Sequence, residues 1–123
     1  MSAIRPVFMR GAQFVTARPD GTVEFNFDLG FDKWHRERVH LTKLKPYAAT
    51  GKNKTVLAYG AADFVKEQLS SCEEIVVETV PNTRKNGSKI KWLAFVWFRI
   101  GGSWQSLNDL MIDEGLAEKY EKE

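Results

Sequence analysis

The stretch TVEFNFDL, Thr22 to Leu29, decides how the whole chain is read. Val23, Phe25, Phe27 and Leu29 alternate with Thr22, Glu24, Asn26 and Asp28. A period of two puts each set on one side of a strand, so one face is buried and the other is wet. Just upstream, Pro19-Asp20-Gly21 forms a turn, because Pro presets φ and Gly accepts a positive value. Before that, Val7 to Ala17 (VFMRGAQFVTA) reads as the preceding strand, with Gly11 expected at a bulge or bend. Downstream, Gly30 to Lys33 turns the chain into a third strand, Trp34 to Leu44. There Val39 and Leu41 point one way, and Arg38 and His40 the other.

The pattern then changes. Lys45 to Lys54 holds the breakers Pro46, Gly51 and Asn53 and reads as a loop. From Thr55 to about Ser70, Leu57, Ala61, Phe64, Val65 and Leu69 recur at helical spacing, with Lys66, Glu67 and Ser70 on the wet side. A short strand follows from Glu74 to Val80. The polar run Asn82 to Ser88 is a hairpin loop. Ile90 to Ile100 is a strand so apolar that both faces are expected to be covered. Gly101-Gly102 turns the chain. A second helix is expected from Leu107 to Glu114, with Ser106 as its N-cap and Gly115 just past its end. The order β-β-β-α-β-β-α predicts an α+β, mainly β domain. It is a five-stranded OB-fold barrel with one helix between strands 3 and 4 and a second near the C-terminus. One domain spans residues 1–123, with a short flexible N-terminus and a charged C-terminal tail (KYEKE).

Composition narrows the function classes. Hydrophobic residues make up 43% and charged residues 28%, ordinary for a globular chain. The net charge of +2 is too mild to identify a nucleic-acid binder, so its distribution matters more than its total. A single cysteine, Cys72, excludes an internal disulfide and a cysteine-based zinc site. With no apolar run of membrane length and no leader pattern in MSAIRPVFMRGAQ, a cytoplasmic location and no membrane partner are expected.

Charge is unevenly spread. From Arg38 to Ala62, RVHLTKLKPYAATGKNKTVLAYGAA contains no Asp or Glu, although Asp28, Asp32 and Glu37 precede it and Asp63 and Glu67 follow. The candidate binding residues are Arg38, His40, Lys43, Lys45 and Tyr47 from this stretch, with Arg84, Lys85, Lys89 and Lys91 from the later hairpin. In a barrel those two elements can approach one mouth and attract phosphate. The competing reading is a set of ordinary solvated side chains. Trp34, Tyr47 and Trp104, at strand or loop edges, fit either base stacking or hairpin packing, while Trp92 and Trp97 read as packing. His35 and His40, five apart on a strand, face opposite ways and do not share one ion. Glu73 and Glu74 beside Cys72 disfavour a thiolate, and hence a nucleophile.

Several of these segments together resemble the staphylococcal-nuclease-like (thermonuclease) family. ARPDGTVEF is similar to its turn and strand start, and RVHLTKL to the strand leading to its metal site. AYGAADFVKEQLSSCEEIVVET is similar to its first helix and fourth strand. The most specific likeness is LAFVWFRIGGSWQSLNDLMIDEGLAEKY, above all Ser106-Leu107-Asn108 through Gly115-Leu116-Ala117. The likeness runs from about Gln13 to Tyr120, and the C-terminal helix of longer members has no counterpart here.

The resemblance implies an OB barrel and calcium-dependent phosphodiester hydrolysis, which needs carboxylates for the cation, a base for water and arginines for phosphate. Residue by residue, the acids are missing. The first metal position holds Gly21, the second Lys45, and the general-base position Ala48. The two phosphate-binding arginines correspond to His40, with Arg38 beside it, and to Lys91. An ammonium about 4 Å from a unit positive charge is repelled by roughly 4 kcal/mol at an effective dielectric of 20, and a divalent ion by about twice that.

The expectation is therefore a catalytically inactive domain without a metal or other cofactor, which binds nucleic acid or a cellular or host protein. Such a module suits a phage-encoded or accessory interaction protein. The alternative is a residual or altered metal-dependent phosphodiesterase using an acid such as Asp20, Asp28 or Glu37.

Overall fold

A computed structural model describes residues 8–42, 44–46, 52–82 and 90–119, with side chains over 9–42, 60–82 and 90–116. Its elements are β1 (Phe8–Ala17), β2 (Thr22–Gly30), β3 (Lys33–Leu41), β4 (Leu44–Pro46), α1 (Lys52–Ser70), β5 (Glu74–Pro81), β6 (Trp92–Ile100), β7 (Ser103–Ser106), α2 (Leu107–Asp113) and β8 (Ala117–Lys119). The main sheet runs β3-β2-β1-β5-β6-β7, and a parallel pairing of β3 with β6 closes five of its strands into a barrel. One helix lies between the third and fourth barrel strands and another near the C-terminus. This is the OB-type α+β architecture that the strand order predicts.

The alternation in β2 holds only in part: Leu29 is 44% exposed, and Thr22 and Glu24 on the expected wet face are buried, Glu24 between Arg18 and Arg36. Val23, Phe25 and Phe27 are 4% exposed or less and join Val39, Val77, Val96 and Phe98 in the core. The turn into β2 is held by Asp20. Its Oδ1 accepts from the Thr22 amide at 2.9 Å and from Thr22 Oγ1 at 2.6 Å. Closure of a small barrel demands strong local twist, which β-bulges supply. One bulge breaks the β1–β2 register between Phe14 and Thr16, and another the β2–β3 register between Asp28 and Gly30. The bulge expected at Gly11 is not there. Gly11 pairs in register with Val76, and the extra residue is Val15.

Other boundaries differ for tertiary reasons. The expected third strand divides after Leu41, and Leu44–Pro46 pairs with Ala117–Lys119 in a separate two-stranded sheet. α1 begins at Lys52, three residues before the expected start, and buries Ala62, Val65 and Leu69. The short strand β7 follows the Gly101-Gly102 turn and pairs with β6, a contact no local pattern announces. On β6, Ala94, Val96 and Phe98 are fully buried, whereas Phe95 and Trp97 on the outer face are half-covered. Those two rings stack with centroids 5.9 Å apart.

α2 is capped at both ends as expected. Ser106 accepts from the Asp109 amide at 3.2 Å. At the other end Gly115, with φ 70°, donates to Ile112 and Leu116 donates to Met111, which satisfies the last carbonyls. The central tie is Asn108, 4% exposed. Its Oδ1 accepts from the Val96 amide at 2.9 Å, and its Nδ2 donates to the Thr42 and Ala94 carbonyls at 3.0 Å each. One side chain thus joins α2, β6 and the end of β3 where the barrel closes.

Candidate functional site

Alternation along β3 sorts its side chains between two environments. Val39 is buried in the core. His35 and Glu37, on the same side, line a mouth cavity of about 240 Å³ with Arg10, Phe27, Leu29 and Trp92. His35 Nε2 lies 2.8 Å from Glu37 Oε1. The opposite set is Trp34, Arg36, Arg38 and His40, which stand on the outer face beside Asp28, Asn26, Glu24 and Thr22 of β2. Alternate residues of a strand are about 6.7 Å apart. The outer face therefore carries an indole, two guanidiniums and an imidazole in one evenly spaced row. His35 and His40 face opposite ways, as their spacing requires.

The acids of this face are largely occupied. Glu24 is 8% exposed and meets Arg18 Nη2 at 2.8 Å and Arg36 Nε at 3.3 Å. Arg18 and Arg36 thus share this one buried carboxylate. Nη1 of Arg18 has no hydrogen-bond partner among the described residues, and Arg38 is exposed. Trp34 is 48% exposed, so part of its ring is open to a ligand.

At the near end of the row, burial alone would raise the Asp20 carboxyl. The hydrogen bonds from the Thr22 side chain and amide, with His40 and Arg18 nearby, outweigh it and hold Asp20 below its ordinary value. Its Oδ1 is thus committed to the turn. The following residue, Gly21, adopts φ 89° and offers no side-chain ligand. Calcium does not fit the residues present at this turn: Gly21, where the resemblance would put the first metal ligand, has no side-chain donor, and the adjacent Asp20 is already hydrogen-bonded. Among the described residues no cluster of three or more His, Cys, Asp or Glu is placed to hold a metal ion.

Among the residues singled out from the sequence, Arg38 and His40 share the outer face of β3. Lys91 is exposed, two positions before Leu93, which pairs with His40. Lys45 lies in β4 opposite Glu118, and only its backbone is described. Lys43, Tyr47, Ala48, Arg84, Lys85 and Lys89 lie outside the described residues. Arg18 and Arg36, which join the site through Glu24, do not stand out in the sequence as candidates. The signal for Arg36 was available, because the alternation that pairs Arg38 with His40 also reaches Arg36 and Trp34.

The remaining candidates have structural surroundings. Trp92 lines the mouth and Trp97 stacks on Phe95, whereas Trp104 is 47% exposed beneath the Arg99 guanidinium, 5.7 Å from the ring centroid. Burial pushes the Cys72 thiol up, Glu73 adds to the shift, and Sγ lies 3.3 Å from the Leu69 carbonyl. Among the described residues no helix is long and apolar enough to cross a membrane. Comparison of the chain with protein-family models and with curated proteins gives no match.

Proposed function

We propose that the protein is a non-catalytic binding module on a nuclease-like OB barrel and that it holds single-stranded nucleic acid across the outer face of β2 and β3. One observation carries this reading: the row Trp34, Arg36, Arg38 and His40. An exposed indole accepts a base, guanidiniums neutralise phosphates, and strand spacing repeats at about the reach of one extended nucleotide. Strands 2 and 3 are also the face on which OB barrels commonly take oligonucleotides. The absence of a carboxylate at Gly21 and the engagement of Asp20 by Thr22 support binding without cleavage.

A protein partner is the second reading, and a different surface favours it. On the outside of the barrel, Met9 (53% exposed) and Trp104 (47%) line an open cleft with Val76 and Trp97.

Fluorescence anisotropy of a labelled oligodeoxythymidylate at several salt concentrations tests the first reading. Binding should weaken with salt at a log-log slope of about −0.7 per phosphate contact. Arg36→Ala with Arg38→Ala should flatten the slope by about 1.4. A salt-insensitive interaction, or none at low salt, would remove nucleic acid as the ligand.

A further inference from the structure

The hairpin between β2 and β3 turns over two residues, Phe31 and Asp32, with Gly30 and Lys33 paired on either side. Both turn residues are left-handed, at φ 55° and 61°. Turns of this hand favour Asn, Asp and Gly, because a side chain there crowds the following carbonyl. Asp32 suits the position; Phe31 does not. Phe31 is also 98% exposed. A strained backbone and a ring standing in water thus coincide at one residue, and neither contributes to the core. The base of the tip is tied independently, since the Asp28 carboxylate accepts from the Gly30 amide at 2.8 Å. Leu29 and Trp34, 44% and 48% exposed, flank the tip.

We propose that Phe31 is a wedge that stacks on or inserts between bases of a nucleic-acid strand. The proposal rests on the reading of β3 as a nucleic-acid face. The tight turn holds the ring at the end of the row that continues through Trp34 to Arg36 and Arg38. Charge decides the occupant. An anionic bilayer surface would meet the whole tip at once, Asp28 and Asp32 against the single cation Lys33. A nucleic-acid strand presents its bases at the tip and its phosphates further along, at the guanidiniums. Backbone strain retained beside a binding face is the pattern expected of a functional element rather than a folding one.

The test relies on effects of opposite sign. Phe31→Asn relieves the strain, so its melting temperature should rise by about 4 °C. The same variant should bind labelled oligodeoxythymidylate about tenfold more weakly at fixed salt. Phe31→Trp should keep wild-type affinity. Unchanged affinity in Phe31→Asn, with weakened binding in the Arg36/Arg38 double variant, would overturn the wedge and leave the β3 face standing. No oligonucleotide binding by the wild type would remove both. Phe31-dependent sedimentation with phosphatidylserine vesicles, without oligonucleotide binding, would overturn the proposal in favour of a membrane contact.

Discussion

The two ends of β3 are built on opposite terms. At the Leu41 end, the chain passes into Thr42, which is 2% exposed and bonded to Ala94 and Asn108. Buried donors and acceptors meet there with good geometry, and the barrel closes. At the Lys33 end, a left-handed Phe31 stands in water beside a half-exposed Trp34. One strand therefore runs from the closure of the fold to an exposed hairpin tip. Stability belongs to the first end, and the second tolerates features unfavourable to folding.

Breaking the closed end should have the largest effect. Asn108→Ala removes the bonds that Asn108 makes to the Val96 amide and the Thr42 carbonyl, while the Ala94 carbonyl keeps only the Thr42 amide. Each buried orphan costs about 1–3 kcal/mol, so urea denaturation should show a loss of about 4 kcal/mol. Asn108→Asp keeps the acceptor but loses both donors and should also be destabilised, more so at neutral than at acid pH, because ionisation adds a buried charge.

Glu24→Gln sharpens the comparison, because it should separate stability from binding. Removing the carboxylate leaves Arg18 and Arg36 facing a neutral amide, a loss of about 2 kcal/mol given that both arginines are partly exposed. Oligonucleotide affinity should rise, since the face becomes more positive. A fall in both quantities would mean that Glu24 positions the arginines for the ligand.

Asp20→Ala should cost about 1 kcal/mol through loss of the Thr22 hydrogen bonds. The Asp20 carboxyl is held below its ordinary value of 3.8, so its contribution is present above that pH and is lost as pH falls through the lower folded value. The acid limb of a stability–pH curve should therefore be shallower in Asp20→Asn than in the wild type. The smallest effect concerns Cys72. With its thiol pushed up by burial, alkylation near neutral pH should be slower than that of an exposed cysteine peptide.

Much of this contrast is legible before any coordinates. The strand at Thr22 to Leu29, the Pro19-Asp20-Gly21 turn and the Ser106 and Gly115 caps all appear where local chemistry puts them, though not every side chain of that strand faces the expected way. The bulge at Val15 does not announce itself, because Gly11 is the residue that looks permissive and Val15 looks like any strand residue. β7 and β8 are four- and three-residue segments whose pairing partners supply their identity. Asn108 reads as one polar residue at a helix start, yet its partner Thr42 lies 66 positions away. For the site, Arg38 and His40 are readable by period two. The weight of Glu24 against Arg18 and Arg36 requires the packed face.

By itself the sequence determined which segments extend, which coil and where the chain reverses, because those preferences depend on residues within a few positions of one another. Only the tertiary structure decided that β3 meets β6, that Asn108 satisfies three distant backbone groups, and that Phe31 stands exposed at the end of a cationic row. Those outcomes depend on contacts between remote segments and on what each side chain is then left facing.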